Sequence, residues 1–512
     1  MGLGAYFRLA RAGFVLAREG AFSIIDPVTL PPSFRFGVRL ARIIERPSVR
    51  KTGSVERLTR ALNRLGPTYV KFGQTLATRP DIVGVDIAQE LSGLQDAMEP
   101  FDPALVPGIL AAALGEKANE LKDLTPPVAA ASIAQVQKAR LTEDDGSVHT
   151  VAVKVLRPGI EQRFNADIES YYAGARLAER HVASTKRLRP VEVVRTLAHS
   201  ARIELDLRLE AAAISEFAEN IKDDKGFIVP KVYWDYTAQN VLTTGWVEGV
   251  PIRDLDALDA AGLDRKDLAK NLLQSFLRHA IRDGFFHADM HPGNLFADPR
   301  SGDIIAVDFG IMGRISKRER RFLADILYGF ITRNYRLIAQ RHFDIGYVPR
   351  TQSVDDFTLA LRSIGEPLFG RKANDISMAR VLGQLFTVTE LFDMQTRPEL
   401  ILLQKNMVLV EGVARALDPE LDIWTIAEPV VGDWVRREAG PIGRLEDLRD
   451  GIGILTDTVE RLPGIVRQAE AALAEWQAER NQRRPWLSRG LLLFGFWVVV
   501  LTCLTLIWRL LT

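Results

Sequence analysis

The chain has 512 residues, with 66 lysines and arginines against 65 aspartates and glutamates, and a net charge of +1. That balance, without a basic stripe interleaved with aromatics, excludes a general nucleic-acid binder. The one cysteine, Cys503, excludes intrachain disulfides and multi-cysteine metal centres and fits a reducing, cytoplasmic compartment.

At this length the chain exceeds one ordinary core. Arg8, Arg11 and Arg18 interrupt the apolar residues of segment 3–25, so it reads as a basic amphipathic helix rather than a cleavable signal. Such a helix either packs on the body or lies on anionic lipid. Pro27, Pro31, Pro32 and Pro47 predict an extended linker over 26–50. Helical patterning runs from Ser54 to Leu94, with Gly66-Pro67 marking a restart. Lys71, Gln74 and Thr78 share one face of the second helix; a stripe that small can equally be solvated.

From Ala129 to Val155 the texture turns to strands around the turn Glu143-Asp144-Asp145-Gly146. Helices follow over 160–180 and 190–220. Strands at Gly226–Tyr233 and Asn240–Val247 then complete a small β lobe. After Pro251 the chain is mainly helical to Arg480, apart from short strands at 294–297 and 303–307. Gly490 to Trp508 is an uncharged run of 19 residues. At helical rise this is about 28 Å, near the hydrocarbon thickness of a bilayer. Trp486 and Trp508 sit at its ends, and Arg480, Arg483, Arg484 and Arg489 flank it upstream against Arg509 downstream. The charge bias predicts one transmembrane helix with residues 1–485 cytoplasmic; the alternative is a buried C-terminal helix.

Three motifs carry chemistry. Val151-Ala152-Val153-Lys154 is an apolar strand ending in a lysine suited to α/β-phosphates. His287-Ala288-Asp289-Met290-His291-Pro292-Gly293-Asn294 places Asp289 and Asn294 five residues apart, the spacing of a kinase catalytic loop. Asp308-Phe309-Gly310 follows fourteen residues after Asn294, and its aspartate suits Mg²⁺. Each alone has an ordinary structural reading: an edge lysine, or a turn built on Gly310. The ordered triple points to an ATP site. His287 and His291 are four apart, but Pro292 and Gly293 break any helix there and further zinc ligands are lacking.

Where a Gly-rich loop normally precedes the lysine strand, this chain has Ala129-Ala130-Ala131-Ser132. Methyl groups in place of hydrogens predict a stiffer loop, packed closer over a nucleotide. The acidic partner of Lys154 should come from Ile203–Glu210. There Asp206 and Glu210 are i, i+4 neighbours while Glu204 lies on another face of a continuous helix; a solvated acidic face is the plainer alternative.

At these residues the chain resembles the UbiB atypical kinases of ubiquinone (coenzyme Q) biosynthesis. Lys71-Phe72-Gly73-Gln74 looks like the family's Lys-x-Gly-Gln motif, and Glu90–Asp96 like the segment after it. Ala129–Val136 is similar to its alanine loop, Glu204-Leu205-Asp206 to its Glu-x-Asp motif, and Phe286–Asn294 to its catalytic loop. Leu409–Arg415 with Leu417-Asp418-Pro419 resembles its C-lobe signature. The likeness covers about residues 54–435 together with the C-terminal anchor. Gln137 departs from the usual histidine, Gly245 from the usual hinge glutamate, and one membrane span is seen where relatives often have two.

The resemblance implies an α+β, bilobal protein-kinase-like fold. Its parts are an N-terminal segment and linker (1–53), a helical extension (54–126), an N-lobe (127–250), a helical C-lobe (251–480) and a transmembrane anchor (486–512). It implies that Lys154 pairs with Glu210 and contacts phosphates, that Asp289 is the catalytic base, and that Asn294 and Asp308 hold Mg²⁺. It further implies nucleotide contacts from Ala129, Ala130, Ala131, Ser132 and the hinge at Thr244 and Val247. Regulation would fall to Lys71, Gln74, Glu204 and Asp206, with Lys71 reaching Glu204 and Asp308 and its helix excluding protein substrates. The function it implies is a Mg-ATP-dependent kinase or ATPase at the cell inner membrane. Its partners would be membrane lipid, hydrophobic quinone precursors and other ubiquinone-biosynthesis proteins. Two alternatives compete: a nucleotide-binding scaffold without turnover, and a quinone hydroxylase. The hydroxylase is disfavoured by the absence of a Gly-x-Gly-x-x-Gly after a strand and of a two-histidine, one-carboxylate iron set.

Overall fold

The computed structural model describes residues 3–24, 32–49, 53–77, 87, 91, 94, 99–143, 145–181, 189–368, 388, 391–394 and 398–439. The chain forms two compact units, Met1–Trp434 and Val435–Thr512. Of the second, residues 435–439 are described, the end of one helix.

Four helices open the first unit: α1 (Leu3–Arg18), α2 (Pro32–Ile43), α3 (Ser54–Leu65) and α4 (Pro67–Ala77). The extended linker expected over 26–50 is corrected by α2. Pro32 sits at its first position, where a missing N–H costs nothing, so the proline starts a helix instead of preventing one. The two readings of the basic N-terminal helix are also separated: Ala5, Ala12 and Ala17 are buried, and Arg8 Nε donates to Ala166 O at 3.0 Å and to Ser170 Oγ at 3.1 Å. Helix α1 packs on the body through small residues while Phe7 and Phe14 stay exposed. Gly73 marks a close approach in α4. A Cβ there would come within 2.7 Å of Leu62 Cδ1 and 2.4 Å of Leu94 Cδ1.

The β lobe begins with α5 (Val106–Leu114), β1 (Leu121–Lys122), β2 (Ala129–Ala130), β3 (Ala134–Thr142) and β4 (Val148–Leu156). Val151, Val153 and Val155 of β4 are fully buried against Val106 and Leu110 of α5. The period of two therefore turns Ala152 and Lys154 to the opposite face. Helices α6 (Ile160–His181), α7 (Pro190–Glu204) and α8 (Leu207–Asn220) follow. The single helix expected across 190–220 is corrected: it breaks at Leu205-Asp206. The Asp206 side chain accepts from Arg208 N and caps α8, since an aspartate competes with the helix for its own backbone donors.

Strand β5 (Phe227–Ile228) does not join the β lobe, as read from the sequence; it pairs in parallel with β10 (Ile304–Ala306). The rest of that segment reaches the first sheet at the bridge Val232–Thr244, where Gly245 N donates to Lys231 O at 2.8 Å and Tyr233 N to Thr243 O at 2.9 Å. Strand β6 (Val241–Gly245) pairs with β4, giving the order β1-β3-β4-β6 with β2 on β3. Then come β7 (Val250–Pro251), α9 (Leu255–Ala260), α10 (Arg265–Leu277), β8 (Phe285–His287), β9 (Leu295–Ala297) and β11 (Met312–Arg314). A second sheet runs β5-β10-β9-β7, and β8 pairs with β11. The remaining helices are α11 (Lys317–Ile331), α12 (Tyr335–Ile345), α13 (Val354–Gly365), α14 (Pro398–Leu417) and α15 (Ile423–Ala439). Among the described residues no helix is long and apolar enough to cross a membrane. The span expected over 490–508 lies outside them, as do Thr78 and Glu90.

Candidate ATP site

Lys154 is the centre of the site. Its Nζ lies 2.8 Å and 2.9 Å from the two carboxylate oxygens of Glu210 and 2.8 Å from Asp308 Oδ1. Glu210 comes from the first turn of α8, so the break at Asp206 sets the start of the helix and thereby the direction of Glu210. Burial works against the Lys154 ammonium, but Asp308 and Glu210 outweigh it and hold its pKa above the ordinary lysine value. Burial pushes Glu210 up to about 7 against the pull of Lys154, while Lys154 holds Asp308 well below the usual carboxylate range.

Asp308 has φ of +60°, a left-handed conformation that aspartate tolerates better than most side chains and that often marks a functional position. The following Phe309 is buried, edge-on to His287 (centroids 4.9 Å apart) and to Phe217 of α8 (5.4 Å). The Asp-Phe-Gly turn and the Glu210 helix thus share one packed contact.

Asp289 lies on the loop between β8 and β9, with its side chain 28% exposed. Its N–H donates to His287 Nδ1 at 3.1 Å, and its carbonyl accepts from Asn294 Nδ2 at 3.1 Å. The first bond makes His287 Nδ1 an acceptor, which puts the proton on Nε2, 3.2 Å from Val307 O. Burial holds His287 below its ordinary pKa, in keeping with a neutral ring serving the backbone. The second bond engages the amide nitrogen of Asn294 and leaves Oδ1 as its remaining acceptor. Val307 N donates to Asn294 O at 2.9 Å, which ties Asn294 to the strand leading into Asp308, and oxygen donors from these two residues would suit Mg²⁺ with phosphates.

The alanine loop is a short antiparallel return, Ala129 opposite Val136 and Ala130 opposite Gln135, with Ala131 N donating to Ala134 O at 2.8 Å. Arg157 clamps it: Nη2 donates to Ala131 O at 2.9 Å and to Glu99 O at 2.7 Å. Ser132 is buried at the tip. The sequence reading missed Arg157, although its position three residues beyond Lys154 placed it near the loop.

Lys71 Nζ is 2.7 Å from Glu204 Oε2, both side chains mostly buried, and its charge also bears on Asp308. Gln74 Nε2 donates to Leu94 O at 3.3 Å, tying α4 to the segment after it. Asp206 instead pairs with Arg208, at 2.7 Å and 2.9 Å, and caps α8. At the hinge, Thr244 lies opposite Ala152 in the sheet. Val247 lines a cavity of about 420 Å³ together with Thr150, Ile228, Lys231, Trp246 and Arg300. Lys154, Asp289, Asn294 and Asp308 are not in its wall.

A second residue missed in the sequence is Asn406 of α14. Fully buried, it donates from Nδ2 to His287 O at 2.6 Å and accepts at Oδ1 from Met290 N at 2.9 Å. The signal was present: one amide in the otherwise apolar stripe Leu403, Asn406, Val410, Val413, Leu417.

A β-rich lobe carrying the lysine, a helical lobe carrying the Asp–Asn loop, and an Asp-Phe-Gly turn between them define an atypical kinase-like fold. Residues 93–342 match the ABC1 atypical kinase-like domain and residues 361–422 the UbiB helical domain. The chain belongs to the UbiB family. It is 38% identical over 488 residues to the probable protein kinase UbiB of Marinobacter nauticus, covering 94% of this chain and 88% of that one. It is 39% identical over 445 residues to the probable protein kinase UbiB of Pseudomonas paraeruginosa, covering 85% and 82%. The structure of the Rv3197–erythromycin complex from Mycobacterium tuberculosis aligns with a TM-score of 0.51 and 25% identity, over 78% of this chain and 98% of that one.

Proposed function

We propose that this chain is a membrane-anchored atypical kinase or ATPase that turns over Mg-ATP in support of ubiquinone biosynthesis. One observation carries the reading: Lys154 is held between Glu210 and Asp308 at 2.8 Å from each, so the phosphate-binding cation and the metal-binding aspartate are already in register. Asp308 and Asn294 would hold Mg²⁺, which would supply charge neutralisation to the phosphates of a bound nucleotide. Lys154 orients the α/β-phosphates, and Glu210 fixes Lys154. Ala129–Ser132, stiffened by Arg157, covers the nucleotide, and Thr244 and Val247 belong to the hinge beside the adenine. Asp289 accepts the proton of the attacking water or hydroxyl as the γ-phosphoryl group leaves ATP. Lys71 and Glu204, with Gln74 and Asp206 at the ends of their helices, hold α4 over the site and restrict access.

The uncharged run 490–508 anchors the chain once through the cell inner membrane, with the bulk on the cytoplasmic side. Its work there is ATP-driven handling of hydrophobic quinone precursors or of the enzymes that use them. ATP hydrolysis by the purified chain, with and without liposomes and phenolic quinone precursors, tests the reading. Turnover that needs Mg²⁺ and vanishes in Asp308→Asn is the expected result; Mg-ATP that neither stabilises the protein nor is hydrolysed would remove it.

A further inference from the structure

We infer that Asn406 is a positioning residue for the catalytic loop, through which the helical domain sets the place of Asp289. This rests on the proposed role of Asp289 in phosphoryl transfer. Leu403, Val410, Val413 and Leu417 make α14 a hydrophobic seam, and an amide inside such a seam is unfavourable unless both of its polar ends are used. Both are used, and on a single target. Nδ2 takes the carbonyl two residues before Asp289, and Oδ1 takes the N–H of the residue after it. The amide therefore straddles the aspartate without touching its carboxylate.

The other backbone groups at this point are held locally. Asp289 N–H goes to His287, Asp289 carbonyl to Asn294, and Ala288 N–H to Ile311 O at 3.0 Å. Among the described residues, only the two bonds from Asn406 tie this stretch to a helix more than a hundred residues away. His287, Ala288 and Met290 are buried, so water cannot replace those bonds. The orientation of the amide follows from its partners: a carbonyl needs the NH₂ end and an N–H needs the oxygen end. A carboxylate would face His287 O with a second acceptor unless it were protonated.

Two variants of the full chain test this, Asn406→Leu and Asn406→Asp. Asn406→Leu keeps the branching at Cγ and loses both bonds. Turnover should fall about 100-fold, as expected for a displaced catalytic group, while nucleotide affinity stays within about 3-fold, since Lys154 and Asp308 are untouched. Amide exchange in the peptide 286–295 should rise while that of α14 is unchanged. In Asn406→Asp a buried carboxyl is protonated to higher pH than usual, and the protonated form restores a donor to His287 O. Divided by the wild-type rate at each pH, its turnover should therefore recover as the pH is lowered from 8 to 6, since every other titrating group is common to both. If Asn406→Leu does not fold, the slope of Asn406→Asp decides alone. Wild-type turnover and exchange in Asn406→Leu, parallel loss of turnover and nucleotide affinity, or an Asn406→Asp profile like the wild type would overturn the inference. Should the wild type itself not hydrolyse ATP, the functional reading fails, and the exchange of peptide 286–295 still decides whether Asn406 holds the loop.

Discussion

Lys71 and Glu204 meet as a nearly buried ion pair at 2.7 Å, joining the helix that carries Lys-Phe-Gly-Gln to the end of the helix before Glu210. Removing one partner of such a pair takes away the main compensation of the other charge, whereas removing both does not. Glu204→Leu should destabilise the fold by about 3 kcal/mol, and Lys71→Met with Glu204→Leu should recover most of that loss. Urea unfolding of the two single variants and the double variant gives the coupling. A purely additive cycle would show that the pair does not hold α4 in place.

The pH dependence of turnover should report Glu210. Its carboxyl is pushed up to about 7, so the ionised form that orients Lys154 predominates only above that pH. Turnover should rise between pH 6 and 8. Glu210→Gln should be slower throughout and lack this limb, because its side chain does not titrate. A profile unchanged in shape by the substitution would assign the limb to another group.

The alanine loop predicts a gain on loosening. Ala130→Gly and Ala131→Gly add backbone freedom where a phosphate-covering loop normally has glycine. ATP affinity or self-labelling should rise while the cellular task is impaired, and the effect should vanish with Lys154→Ala. Arg157→Ala should act in the same direction, because it releases the carbonyl of Ala131. Binding titrations with ATP and ADP, together with self-labelling, measure this. Unchanged nucleotide preference in all three would separate the loop from nucleotide selection.

His342 supplies a test of the C-lobe core. Burial between Phe322 and Phe357 lowers its pKa to about 4, against an ordinary 6.5. The unfolded chain binds the proton more readily, so the stability contribution is full above pH 6.5 and is lost as the pH falls towards 4. The loss amounts to about 3 kcal/mol. His279 and His287 are lowered by burial too, so the wild type loses more than this. His342→Asn should be less stable at neutral pH for want of the ring contacts, yet less sensitive to acid. Urea midpoints at pH 7 and pH 4.5 separate the two effects; equal acid sensitivity in wild type and variant would refute it.

Much of the site was legible because it is local. The alternation in Val151–Val155 put Lys154 opposite the core, the Asp289–Asn294 spacing fixed the loop, and Asp308-Phe309-Gly310 announced the turn. The run from 190 to 220 reads as one helix, although Asp206 followed by the regular pattern of α8 is a cap signal. Nothing in the pattern of 226–233 shows that Phe227 and Ile228 leave the first sheet, because their partners Ile304 and Ile305 lie far along the chain.

Apart from the helix begun at Pro32 and the break at Asp206, the sequence by itself determined which elements form around the site and which chemical groups they bear, since helix, strand and turn preferences act over a few residues and follow from backbone geometry. The tertiary structure decided which charges meet and which backbone groups are held. Lys71 with Glu204, Lys154 with both Glu210 and Asp308, Arg157 with Ala131, and Asn406 astride Asp289 all join different elements of the chain. Such pairings follow from the packing of elements, which brings donors and acceptors into the same dry space where each must find a partner.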